Sequence, residues 1–153
     1  TMNFFSGRLE KNQGGLSFQE GLGGQSSSPR ILRLNAETAA RIVSRSGQRI
    51  VLGIRPEHLV PDSPQPGSLE MEVDLVEPMG AETFLYGHSG EHRCTCRITF
   101  HETKGLEGKK IHLIPDFEKL HFFDPETGEE VPGPRIPRIK LPLPVPPLKK
   151  PLL

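Results

Sequence analysis

The stretch Ile50 to Pro61, Ile-Val-Leu-Gly-Ile-Arg-Pro-Glu-His-Leu-Val-Pro, constrains this chain more than any other. Ile50, Val51, Leu52 and Ile54 form an apolar, β-branched run of the kind found in a strand buried on both faces. Gly53 interrupts it, which in a strand predicts a bulge or a close approach by another backbone. Pro56 removes a backbone donor and steers Arg55 away from helical geometry, so pairing should stop there. Pro56 to Leu59 then suits a single helical turn with proline at its tolerated first position. Arg55, Glu57 and His58 are thereby crowded at the end of a core strand. Such a cluster serves catalysis, an interface or the pinning of a strand end, and composition does not choose among the three.

The rest of the chain predicts short strands joined by turns. Sixteen glycines, sixteen prolines, one Tyr and no Trp in 153 residues favour turns and strands over helices. Met2 to Leu9 reads as a first strand. A turn at Gly14-Gly15 follows, and then a second strand carrying Leu16 and Phe18 two apart. Gln19 to Pro29 reads as a Gly- and Ser-rich surface loop without the spacing of a phosphate-cradling motif. Ile31 to Leu34 is a third strand. Asn35 then caps the one convincing helix, from Ala36 to Val43, ending near Ser46-Gly47. Asp62 to Gly67 reads as a loop. Leu69 to Leu75 alternates strictly, with Leu75 inward and Glu70, Glu72 and Asp74 facing water. Glu77 to Gly80 reads as a turn before a strand at Thr83 to Tyr86, and Ser89-Gly90 as a hairpin loop. Lys110 to Ile114 and Lys119 to Phe123 complete the strands, with turns at Gly105 to Gly108 and at Asp124 to Gly128.

Candidate chemistry is sparse. His92, Cys94, Cys96, Ile98 and Phe100 share one face of a predicted strand. With His88 and His101 nearby, this is the best metal candidate in the sequence, and a metal-dependent hydrolase would use His88, His92, Cys94 and Glu82. Zinc sites favour Cys-x2-Cys pairs at a turn, whereas Cys94 and Cys96 share their face with Ile98 and Phe100 and read as inert core thiols. A Cys94–Cys96 disulfide is disfavoured by strand geometry. Two cysteines in a chain of this size match a reducing compartment better than a secreted scaffold. No Ser or Cys sits on a Gly-x-Ser-x-Gly elbow, so a hydrolase triad is not expected.

Charge divides the chain in two. Residues 132–153 hold five basic side chains and no acidic one, so residues 1–131 carry 14 basic and 19 acidic groups, a net of −5. An acidic body argues against nucleic acid as the main partner. Half of the sixteen prolines fall in the last 22 residues, so a domain at 1–131 is expected to end in a basic, polyproline-II-like arm at 132–153. That arm suits an aromatic groove, the acidic body itself, or anionic lipid. No apolar run approaches the roughly 20 residues needed to cross a bilayer as a helix, so a soluble chain is expected.

Four pieces in order carry a family resemblance: Met2-Asn3-Phe4-Phe5, Leu52-Gly53-Ile54-Arg55-Pro56-Glu57-His58-Leu59, Val76-Glu77-Pro78-Met79-Gly80-Ala81-Glu82-Thr83, and His121-Phe122-Phe123-Asp124 with Thr127-Gly128. Over residues 2–131 the chain resembles the C-terminal regulatory part of MalK-type ATP-binding subunits of sugar-importing ABC transporters. The resemblance implies a mainly β, OB-like (TOBE/MOP-type) barrel or sandwich with one short α-helix. It implies a non-catalytic regulatory and dimerisation domain, with a second copy of the same subunit as partner. It further implies contact with the transporter's membrane subunits through a separate ATPase domain, placement on the cytoplasmic face of the membrane, and a cytoplasmic regulatory protein as a further partner. The chain carries no Walker A lysine loop, no Walker B strand and no Leu-Ser-Gly-Gly-Gln signature. Met2 is therefore expected to be an internal residue of a longer subunit whose ATPase domain holds ATP and magnesium, leaving this part without a cofactor. Related OB-type domains of molybdate systems bind oxyanions, which makes a small-ligand module the alternative. The residues expected to form an interface or a structural corner are Arg55, Glu57, His58, Phe4 and Phe5.

Overall fold

A computed structural model describes residues 1–21, 30–99 and 105–131. They form two five-stranded antiparallel sheets around one shared core. The first sheet has the order β10-β4-β1-β2-β3, from β1 (Asn3–Asn12), β2 (Gly15–Glu20), β3 (Arg30–Arg33), β4 (Arg49–Ile54) and β10 (His121–Phe123). The second has the order β5-β9-β6-β7-β8, from β5 (Leu59–Asp62), β6 (Leu69–Met79), β7 (Glu82–Ser89), β8 (His92–Ile98) and β9 (Lys110–Pro115). The expected mainly β architecture with one short α-helix is thus present.

The stretch expected to organise the chain does so. β4 lies between β1 and β10, with Ile50, Leu52 and Ile54 buried. Its pairing runs without interruption through Phe4↔Gly53 and His121↔Gly53. Gly53 is therefore not a bulge, and it is side chains rather than a second backbone that approach it. A Cβ there would meet Met2 Sδ at 2.7 Å and Phe123 Cε2 at 2.8 Å. The core face of this sheet carries Phe5, Leu9, Phe18, Leu52 and Phe122, each at most 3% exposed. Removing such side chains from water is the main favourable term, at about 25 cal/mol per Å² of apolar surface.

The helix is as expected. α1 (Ala36–Ile42) starts at Asn35, whose Oδ1 accepts from Thr38 N at 2.9 Å, and a 3-10 turn at Val43–Arg45 follows it. Thr38 and Ile42 point inward from α1. Outside it, several boundaries shift. β1 extends to Asn12 and pairs with Gly15, so the turn is Gln13-Gly14 rather than Gly14-Gly15. Gln19 and Glu20, expected in a loop, belong to β2, while residues 22–29 lie outside the described set. Leu59, expected to end the helical turn, and Asp62, expected in a loop, bound a strand instead, because Leu59 to Asp62 finds a partner in β9.

The largest correction concerns β6. The strand does not turn at Glu77 but continues to Met79, and the turn falls at Gly80-Ala81 between Met79↔Glu82. The register shifts between Val73 and Leu75, leaving Asp74 as an extra residue. One added residue reverses the facing of everything beyond it, since side chains alternate with a period of two. Leu75, expected in the core, is 50% exposed for this reason. Gly87 stands opposite Val73, and a Cβ on it would lie against the Glu72 carbonyl oxygen. The bulge and the glycine are two halves of one local fit.

Candidate functional site

Arg55, Glu57 and His58 occupy the crossing between the two sheets. β4 ends at Ile54, Arg55 is extended (φ −77°, ψ 150°), and Pro56–His58 form a single 3-10 turn before β5 begins at Leu59. The turn closes with His58 N donating to Arg55 O at 3.0 Å and Leu59 N donating to Pro56 O. Pro56 is buried in it. Two further bonds fix the exit: Asp116 N donates to His58 O at 2.9 Å, and Cys96 Sγ donates to Leu59 O at 3.2 Å. The turn lies against β8.

The three side chains differ in what they can do. Glu57 is exposed, and its carboxyl sits below the ordinary range. Its own backbone N–H is the main cause, burial works against the shift, and Arg97, His58 and Arg55 add favourable charge. The anion at the corner is thereby secured at neutral pH. His58 is half-buried, and its Nδ1 has no hydrogen-bond partner among the described residues. Arg55 is exposed and forms no ion pair among the described residues. The corner therefore presents a cation and an anion to solvent while its backbone is locked.

Phe4 and Phe5, adjacent on β1, point to opposite faces of the sheet. Phe5 is fully buried, with His92 edge-on at 5.7 Å. Phe4 is 52% exposed and meets Phe123 edge-on at 5.7 Å. Phe4, Met2, Phe123 and His121 surround the space left by Gly53 on the outer face, beside the strand end that leads to Arg55. Phe4 can thus take part in an interface, while Phe5 belongs to the interior.

The metal candidates do not converge. Cys94 and Cys96 are free buried thiols, and burial pushes both up to about 12, with Cys96 and Glu20 adding to the effect at Cys94. Thiols in that state are neither nucleophiles nor ready ligands near neutral pH. His88 lies between Glu72 (3.3 Å) and Asp74 (3.1 Å) on the outer face. Glu82 pairs with Arg97 at 3.3 Å, and His101 lies outside the described residues. No three His, Cys, Asp or Glu side chains among the described residues are placed to hold a metal.

Sequence reasoning missed the polar lock between the sheets. Glu20, with its side chain 2% exposed, accepts from Ser89 Oγ at 2.7 Å and lies 2.7 Å from His92 Nδ1. Ser6 N donates to His92 Nε2 at 3.0 Å, so the Nδ1 hydrogen faces Glu20. Both imidazole nitrogens are occupied, which removes His92 as a free base. Nearby, Asn3 makes reciprocal 2.8 Å bonds with Thr95 N and O, completing the edge of β8 from β1. Only the register of sheet against sheet brings these groups together, and the Gly- and Ser-rich neighbourhood of Glu20 disguised it.

Comparison with known proteins fits this geometry. Residues 1–59 match the MalK OB fold domain, and residues 52–123 match the TOBE domain. The two matches overlap on residues 52–59, the corner where the sheets join. Among curated relatives, the sn-glycerol-3-phosphate import ATP-binding protein UgpC of Burkholderia cenocepacia is 34% identical over 130 residues, 84% of this chain and 33% of that protein. UgpC of Shigella boydii is 35% identical over 86 residues, 56% of this chain and 24% of that protein. The chain spans a quarter to a third of the length of these relatives. A solved structure of the cytoplasmic molybdate-binding protein ModG superposes with a TM-score of 0.52 at 13% identity, covering 78% of this chain and 94% of that one. That likeness concerns the fold alone.

Proposed function

Because this chain belongs to the MalK OB fold and TOBE domain family, we propose that it is the regulatory and dimerisation part of the ATP-binding subunit of a sugar or glycerol-3-phosphate ABC importer. The observation that carries this reading is the consecutive match of both domains across the whole two-sheet body, joined at the corner. The full-length relatives bearing the name of ATP-binding import subunits support it. On this reading ATP and magnesium belong to the remainder of the parent subunit, which couples hydrolysis to uptake at the cytoplasmic face of the membrane. The part described acts by contact, not by chemistry.

The surfaces suited to that role are the Arg55–Glu57 corner and the Phe4–Phe123 outer face beside it. A backbone held by four hydrogen bonds gives a partner fixed charges to meet, and Phe4 supplies exposed aromatic surface. The partner proposed there is a second copy of the same subunit. Membrane subunits are reached through the ATPase domain, and a cytoplasmic regulatory protein is a further partner.

Calorimetry of the 153-residue chain tests the division of labour. Titration with ATP and magnesium is expected to give no saturable heat, and stoichiometric nucleotide binding would sink the reading. Titration with molybdate tests the oxyanion alternative, which rests on a shared fold. A saturating response there would put that alternative first.

A further inference from the structure

The bulge at Asp74 gives the second sheet an outer surface that the proposed function does not use. Beyond it, β6 and β7 run on as an arm whose outer face carries Leu75 and Met79, 50% and 56% exposed. Phe84 and Tyr86 lie stacked on the same face, with ring centroids 6.1 Å apart and planes 15° from parallel. Tyr86 Oη donates to Glu77 Oε1 at 3.0 Å, which holds the phenol ring against its neighbour. Exposed apolar side chains grouped with half-buried aromatic rings in this way mark contact surfaces.

Charge decides what fits. Around these four side chains stand Glu72, Asp74, Glu77 and Glu82; Arg97, opposite Phe84, is engaged by Glu82 at 3.3 Å, while His88 lies between Glu72 and Asp74, and Arg93 and Lys110 stand beyond it, opposite His88 and Glu72. A second copy presenting the same face would set carboxylates against carboxylates, which disfavours an isologous contact here. A basic partner rich in apolar residues is favoured instead. Flat aromatic rings flanked by acids suit one that is also rich in proline, because a polyproline-II segment has little conformational entropy to lose on docking.

The chain itself carries such a segment. Residues 132–153 hold eight prolines, five basic side chains and no acid, including Pro-Leu-Pro-Val-Pro-Pro-Leu-Lys-Lys at 142–150. We propose that the outer face of the β6–β7 arm is the docking surface for this C-terminal segment of the same chain. The reach is ample. At about 3.1 Å per residue an extended proline-rich stretch of this length spans roughly 70 Å, against a radius of gyration on the order of 15 Å for a domain of this size.

A spin label tests it in the full chain. Cys94 and Cys96 are buried thiols, so Leu148→Cys provides a single reactive site for a nitroxide. Paramagnetic broadening of backbone amides is expected at residues 75–79 and 82–86, and it should weaken with added salt. Leu75→Asp, at a half-exposed position, is expected to remove the broadening while leaving the amide spectrum of the core unchanged. Charge reversal by Lys149→Glu with Lys150→Glu should reduce it without touching the arm. Broadening confined to residues 120–131, or centred on Phe4 and Phe123, would overturn the proposal. So would broadening seen only when spin-labelled chain is mixed with a separate isotope-labelled chain, since the segment would then reach a second copy.

Discussion

Replacing Gly87 with alanine attacks the point at which the second sheet changes its facing. The added methyl carbon would lie against the Glu72 carbonyl oxygen, 2.9 Å from the Glu72 carbonyl carbon and 3.0 Å from Met71 Cε. The oxygen belongs to the backbone of the neighbouring strand, so no rotamer change relieves the clash. β6 and β7 must part locally, straining the ladder at Glu72↔His88 and Val73↔Gly87. Overpacking a tight site costs about 1–3 kcal/mol, and two weakened backbone hydrogen bonds add about 1 kcal/mol each. A loss of about 3–5 kcal/mol follows, or roughly 10–15 °C in Tm for a chain of this size. Gly53→Ala is the natural control. There the obstacles are the Met2 thioether and the Phe123 ring, which are half-buried and free to shift, so a loss under about 1.5 kcal/mol is expected. Urea denaturation followed by circular dichroism measures both. A Gly87→Ala loss below about 1 kcal/mol, or no greater than that of Gly53→Ala, would refute the claim that this glycine and the bulge are fitted to each other.

Three other perturbations probe separate parts of the structure. Phe5→Ala should cost about 3–5 kcal/mol by emptying core space, while Phe4→Ser, on the other face of the same strand, should cost under about 1 kcal/mol; equal losses would contradict their opposite burial. Both cysteines should resist a thiol reagent at pH 8 in the native chain and react fully in denaturant, and rapid native labelling would contradict thiols pushed up to about 12. Asp124 is held below its ordinary value of 3.8 by Arg45 first, then by the Glu126 and Thr127 N–H groups. Its stabilising contribution is therefore present above that value and lost as pH falls through the lower folded value. Asp124→Asn should flatten the acid side of a stability–pH profile, and an unchanged acid limb would contradict the pairing with Arg45.

Local chemistry makes much of this fold legible in the sequence. Asn35 announced its helix because a side-chain oxygen can serve an unpaired helix N–H. The run Ile50–Ile54 announced a central strand, and Arg55-Pro56 announced its end, through backbone restrictions that hold in any context. What stayed hidden depended on pairing at a distance. The extra residue at Asp74 leaves the hydrophobic alternation of β6 intact in sequence and breaks it only in register, so Leu75 read as core. Glu20 meets His92 and Ser89 through strands about seventy positions apart. For the corner, sequence gave the residues and their crowding, and it grouped Phe5 with Phe4. The two sheets revealed what the corner joins, and the burial of Phe5 shows which phenylalanine faces outward.

Self-association is the property on which the regulatory and dimerisation reading turns. Sedimentation equilibrium of the 153-residue chain over a range of concentrations measures it directly. A reversible monomer–dimer equilibrium is expected, weakened by Phe4→Ser and by Arg55→Ala while the circular dichroism of both variants stays native. A chain that remains monomeric at every concentration, or a dimer indifferent to both substitutions, would contradict it.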